Sequence, residues 1–163
     1  MAKVKVLFVC LGNICRSPLA EAIFNDKVRR RNLEGHFEVD SCGTADYHIG
    51  DSPDPRTIAT ALKNGVKMSH CVRQFTTADL DDFDYILAMD RSNHKNILRL
   101  SKEGSHAAKV FLMREFDSQG KGEEVPDPYF GSERIFQEVF EILDRSTGNF
   151  LLHIEENILN NKI

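Results

Sequence analysis

The chain has 163 residues, 41% of them hydrophobic and 28% charged, with a formal net charge of −4. That length predicts one domain spanning 1–163, and the composition excludes collagen-like, low-complexity and disordered classes. The acidic balance argues against nucleic acid as a partner, and no apolar run approaches the ~18 residues of a membrane helix, so no membrane insertion is expected.

Residues 4–9, Val-Lys-Val-Leu-Phe-Val, are β-branched and apolar and predict a buried first strand. Gly12 and Asn13 are loop formers. Ser17 reads as an N-cap and Pro18 as a first-turn residue, so a helix is expected from about 18 to 31. A second strand alternates over 37–42. A helix over 55–64 is stopped by Gly65, and Thr76 or Thr77 caps a short helical turn. A strand over 84–89, a helix over 91–102 and a strand over 109–113 follow.

Residues 116–131 form a long loop, and structureless segments of that length in compact domains are usually functional or disordered. Beyond it, Ile135, Val139, Leu143, Phe150, Ile154 and Ile158 stay in helical phase across Gly148. One long helix is expected, weakened there by ~1 kcal/mol. Strands alternating with helices predict a three-layer α/β domain with a parallel sheet, whose ligands bind beyond the carboxyl ends of the strands. The loop after the first strand is the prime candidate.

Cysteine usage narrows the setting. The N-terminus lacks a signal-peptide pattern, there is no C-x-x-C pair, and the six histidines lack H-x₃-H spacing. Neither a disulfide framework nor a metal site is expected, and a reducing cytoplasm fits best. Cys42 and Cys71 read as buried core residues; Cys10 and Cys15 lie in the candidate loop.

Cys10 and Arg16 bracket five residues, giving Cys10-Leu11-Gly12-Asn13-Ile14-Cys15-Arg16-Ser17 between a strand and a helix. Backbone N–H groups turned inward, a helix N-terminus and a bidentate guanidinium together hold a tetrahedral oxyanion. The same field favours a thiolate, and a thiolate beneath phosphorus is a nucleophile that forms a phosphocysteine. Neither G-x-x-x-x-G-K-[ST] nor G-x-G-x-x-G is present. In the long loop, Asp127 sits between two prolines and ahead of Tyr129 and Phe130. Held among apolar walls it can serve as the general acid; a plain surface turn is the alternative.

These residues resemble the low-molecular-weight protein tyrosine phosphatase family. The likeness runs through residues 6–21, Ser41, Gly43-Thr44, Asp54-Pro55-Arg56, Met68-Ser69-His70, residues 84–90 and Asp127-Pro128-Tyr129. It implies a flavodoxin-like four-stranded parallel sheet of order 2-1-3-4 and hydrolysis of phosphotyrosine or small aryl phosphates without a cofactor. Cys10 would attack phosphorus, Arg16 and the N–H groups of 11–16 would hold the oxyanion, and Asp127 would serve as acid and then base. Ser17 would offer its hydroxyl to Cys10. Ser41 and His70 would fix Asn13, while Leu11, Tyr47 and Tyr129 would form the substrate walls. Ile14 resembles the tyrosine-specific branch, since related arginine phosphatases carry threonine there. Phosphate and other tetrahedral oxyanions would inhibit.

The resemblance also implies that an exposed, oxidised Cys10 is trapped by Cys15 as a reversible disulfide. Where many eukaryotic members carry a second tyrosine, this chain has Phe130. Three other functions compete with this reading. A thiol-dependent arsenate reductase needs a further closely spaced cysteine pair, which is absent downstream of Cys71. A phosphopeptide-binding module would lose Cys10 or Asp127, and both are present. A flavodoxin-like electron carrier lacks support in the loop composition.

Overall fold

In a computed structural model describing residues 3–160, four parallel strands form a sheet of order β2-β1-β3-β4: β1 Val4–Cys10, β2 Phe37–Gly43, β3 Tyr85–Ala88 and β4 Val110–Leu112. Five helices connect and cover them: α1 Arg16–Arg30, α2 Pro55–Lys63, α3 Thr77–Asp82, α4 Arg91–Arg99 and α5 Glu133–Asn160. The alternation of β1 explains the layers. Val6, Phe8 and Cys10 enter a core built with Leu19, Ile23 and Phe24 of α1 and Leu143 and Phe150 of α5. Leu7 and Val9 enter a second core with Leu80 of α3 and Ile97 of α4. A strand buried on both faces reads as an unbroken apolar run, as the sequence does there.

The long C-terminal helix continues through Gly148 as expected; the side chain of Ile158 lies outside the described residues. Asp54 caps α2, and Thr76 caps α3 in a reciprocal pairing with Asp79. Gly65, with φ of +83°, follows the end of α2.

Three expectations need correction. Helix α1 begins at Arg16, with Cys15 in the cap position, so Ser17 lies inside the first turn and is not the N-cap. Its hydroxyl is turned toward Cys10 instead. Helix α4 stops at Arg99, short of Lys102. Cys71 is exposed and does not belong to the core, whereas Cys42 is fully buried. Short 3₁₀ turns at Glu34–His36, Gly104–Lys109 and Met113–Phe116 carried no signal in the apolar pattern.

Candidate active site

Cys10 ends β1, and the loop from 11 to 15 carries the chain over the carboxyl edge of the sheet into α1. The loop is held from outside by its carbonyls. Thr44 N–H donates to Cys10 O at 2.9 Å, Ala45 N–H to Leu11 O at 3.0 Å and Asp54 N–H to Ile14 O at 2.9 Å. With those carbonyls engaged outward, N–H groups are left for the inner side, and Asn13 N–H approaches Cys10 Sγ at 3.3 Å. Gly43 of β2 makes the close passage possible, because a Cβ there would stand 2.7 Å from Leu11 O.

Asn13 has φ of +57°, in the left-handed region that asparagine tolerates better than most residues. Its side chain is completely buried and fully used. Nδ2 donates to Ser17 Oγ at 2.8 Å and Ser41 Oγ at 3.1 Å. Oδ1 accepts from the Arg73 backbone N–H at 3.3 Å, so the Nε2 of His70, 2.6 Å away, must donate to the same oxygen. Glu21 completes the group, accepting from Ser41 Oγ at 2.6 Å and lying 3.2 Å from His70 Nδ1. Ser41 and His70 thus sit where the resemblance placed them, and Glu21 joins them.

Ser17 Oγ stands 3.0 Å from Cys10 Sγ and 3.3 Å from Cys42 O. Cys10 itself is 3% exposed. The sulfur is therefore the floor of a pocket and not the exposed thiol that the sequence suggested.

Arg16 is equally buried. Nη1 donates to Asp90 Oδ2 at 2.8 Å and to Val125 O at 3.0 Å, while Nη2 faces Asp127 Oδ2 at 3.7 Å. Burial opposes its charge, but Cys10, Asp90 and Asp127 outweigh that and raise its pKa above the ordinary arginine value. Asp90 also caps α4 through Oδ1, which accepts from Asn93 N–H at 2.8 Å.

Asp127 arrives from the long loop, whose course is set by a buried charge cluster. Asp117 is bound by Arg114 Nε at 2.8 Å and by Arg145 Nε at 2.6 Å and Nη2 at 3.0 Å. Arg145, followed by the Gln119 N–H and Arg114, holds its carboxyl well below the usual carboxylate range. Arg114 also donates to Glu124 O at 3.1 Å, one residue before the carbonyl that Arg16 uses. The Asp127 side chain is half exposed beside Arg16, not enclosed by apolar walls as expected.

The pocket above Cys10 has a volume of about 330 Å³ and is lined by Leu11, Ile14, Tyr47, His48, Asp127 and Tyr129, among others. All three expected wall residues are there. A tetrahedral oxyanion on the sulfur would meet the inward N–H groups and Arg16 Nη2, with a flat ring above it between Tyr47 and Tyr129. Cys15 is buried at the pocket's side, and burial pushes its thiol up to about 12. Two clusters join a histidine to two carboxylates, Glu21–Asp40–His70 and Asp81–Glu103–His106, which the sequence spacing did not suggest. In both, the histidine is already hydrogen-bonded to its neighbours.

A family model described as low molecular weight phosphotyrosine protein phosphatase matches residues 5–161. The chain belongs to that family. The phosphatase of this family from Schizosaccharomyces pombe is 47% identical over 152 residues, covering 93% of this chain and 97% of the relative. The crystal structure of a protein tyrosine phosphatase from Entamoeba histolytica superposes with a TM-score of 0.92 at 37% identity, covering 95% and 99% of the two chains. A drosophila arginine phosphatase superposes with a TM-score of 0.86 at 36% identity, covering 93% and 98%. The family scaffold therefore carries more than one named substrate class.

Sequence reasoning missed Asp90, Glu21, Gly43 and the Asp117 cluster as parts of this low-molecular-weight phosphatase site. A signal existed for Asp90. An aspartate that ends a strand and opens a helix stands at the edge where ligands bind. Glu21 had none, because His70 is remote in sequence, and although Arg114 stands three residues before Asp117, Arg145 lies 28 residues beyond it.

Proposed function

We propose that this chain is a phosphatase acting on phosphotyrosine in proteins and on small aryl phosphates. Buried Arg16 carries the reading, locked on one side by Asp90 and the Val125 carbonyl while its other nitrogen faces the space between Cys10 and Asp127. A guanidinium fixed before substrate arrives costs no reorganisation when charge develops on the equatorial oxygens.

Cys10 Sγ attacks phosphorus and the bond from phosphorus to the phenolic oxygen breaks, Asp127 giving its proton to the leaving phenolate. Water, deprotonated by Asp127, then attacks the phosphocysteine and releases phosphate and the thiolate. Ser17 and Asn13 N–H stabilise the sulfur in both steps. Phosphate and other tetrahedral oxyanions occupy the same loop as inhibitors. The whole chain serves as one phosphatase domain. Among the described residues no helix is long and apolar enough to cross a membrane; together with the free cysteines, this supports placement in a reducing cytoplasm.

Phosphoarginine is the second reading, favoured by the likeness to the drosophila arginine phosphatase. Ile14 in the wall, together with Tyr47 and Tyr129, supports the aryl ester instead. Turnover of phosphotyrosine, phosphoarginine and arsenate by the wild type, Cys10→Ser and Asp127→Ala tests all of this. Cys10→Ser should abolish phosphotyrosine turnover, and Asp127→Ala should lower kcat by ~100-fold or more. Substantial activity in Cys10→Ser would sink the covalent route. Faster turnover of phosphoarginine than of phosphotyrosine would reassign the substrate.

A further inference from the structure

We propose that Arg56 is a positioning residue that holds the aromatic wall at Tyr129 and thereby sets the preference for aryl over alkyl phosphate esters. The proposal rests on the phosphatase reading above. Arg56 belongs to the Asp54-Pro55-Arg56 stretch, to which the reaction steps assign nothing.

Asp54 ties the two sides together. Its N–H donates to Ile14 O in the phosphate loop at 2.9 Å. Its Oδ1 accepts from Arg56 N–H at 2.9 Å, starting α2, and from Arg56 Nε at 3.1 Å. Its Oδ2 accepts from Arg56 Nη2 at 2.8 Å. One carboxylate thus fixes the backbone and the guanidinium plane of the same residue, and that pairing lowers the pKa of Asp54.

The fixed guanidinium then reaches two rings. Its central carbon lies 4.7 Å from the centroid of Phe136 on α5 and 5.4 Å from that of Tyr129, both within the range of a cation–π contact. Phe136 is buried on α5. Tyr129 is 39% exposed, and its other aromatic neighbour, Phe130, is 96% exposed and a poor support. Arg56 therefore supplies a firm backing to this wall, referenced to the phosphate loop through Asp54.

Arg56 does not line the pocket over Cys10; it lines a separate cleft between α2 and α5. It acts through Tyr129 and not on substrate. Inorganic phosphate sits below the ring wall and is indifferent to it, whereas a phenyl ester needs the wall upright.

Steady-state kinetics of Arg56→Ala, Arg56→Lys, Tyr129→Ala and the Arg56→Ala/Tyr129→Ala double variant test this, with an aryl and an alkyl phosphate as substrates and phosphate as inhibitor. Arg56→Ala should raise KM for the aryl ester ~5-fold, with kcat, alkyl ester turnover and phosphate inhibition unchanged. Arg56→Lys should recover part of the loss, since it keeps charge without the planar fork. In the Tyr129→Ala background the effect should vanish. Additive penalties, or phosphate inhibition weakened in step with KM, would overturn the proposal. If Arg56→Ala does not fold, Arg56→Lys alone and in the Tyr129→Ala background carries the same comparison. A wild type inert toward aryl phosphates would instead refute the phosphatase reading itself.

Discussion

Asp90 holds Arg16 and α4 with its two oxygens, Oδ2 accepting from the guanidinium and Oδ1 from Asn93 N–H, each at 2.8 Å. The Arg16 guanidinium is thereby referenced to the start of a helix packed on the opposite face of the sheet. Asp90→Ala should lower kcat/KM for an aryl phosphate by ~10–100-fold by freeing Arg16, and should also destabilise the fold by ~1 kcal/mol through loss of the cap. Asp90→Asn keeps a capping residue, so thermal unfolding should recover while activity stays low. Full activity in either variant would show that Arg16 needs no such anchor.

The left-handed turn at Asn13 gives a second test. Asn13→Gly relieves the backbone requirement but removes the contacts to Ser17, Ser41 and His70; Asn13→Ala removes the contacts and adds strain of ~1–2 kcal/mol. Both should lose activity, with Asn13→Ala the less stable of the two by chemical denaturation. Equal stability would mean that the surrounding contacts, not φ, decide this position.

Gly43 lies outside the pocket lining, yet its replacement should be felt there. A Cβ at this position meets backbone atoms of Leu11 and Gly12 at 2.7 and 3.1 Å. Gly43→Ala should reduce kcat and weaken phosphate inhibition together, because the loop is displaced as a unit. A change in KM for aryl esters alone would contradict this.

Acid stability should depend on Asp117. Its pKa is depressed in the folded chain, so its contribution is complete above the unfolded value of ~3.9 and is lost as pH falls from there through the folded value. Asp117→Asn should cost ~3–5 kcal/mol at neutral pH by leaving Arg114 and Arg145 without their shared partner. It should also flatten the acid limb of the stability curve measured by urea unfolding. An unchanged acid limb would assign the depression elsewhere.

Three of the four thiols should separate cleanly in alkylation followed by mass spectrometry. Cys71 is exposed and should label in the native state, whereas burial raises the pKa of both Cys15 and Cys42 and should shield them until unfolding. Peroxide should convert Cys10 to a sulfenic acid, which condenses with the Cys15 thiol to give a disulfide and water. With Cys15 protonated up to about 12, closure should quicken as pH rises. Peroxide inactivation equally reversible by thiol in Cys15→Ser would dismiss this bridge.

The β–loop–α unit was legible because local rules suffice for it. An apolar run buried on both faces, Gly12 and Asn13, and a cysteine and arginine at fixed spacing all lie within fourteen residues. The boundary of α1 was misread because serine before proline is the usual cap signal, while here the hydroxyl is drawn to the Cys10 sulfur. Cys71 was misplaced because residue type predicts burial only on average. The Glu21–His70 and Asp117–Arg145 pairs join segments tens of residues apart, so no local pattern announces them. The charge pattern was informative at a regional scale. Residues 1–35 hold seven basic against three acidic residues, and residues 115–145 hold three against nine. The first segment carries the Cys10–Arg16 loop and the second Asp127.

Ser17 has one hydroxyl proton and two acceptors in reach, Cys10 Sγ and Cys42 O, while Asn13 Nδ2 fixes the oxygen from a third side. The oxygen need not move for the proton to change allegiance. In the proposed reaction it would turn to sulfur while that atom is a thiolate; once sulfur carries phosphorus and its charge is gone, the carbonyl would be the better acceptor. On the proposed mechanism the hydroxyl would be a rotor that tracks the sulfur's charge through each turnover, at the cost of a bond rotation alone.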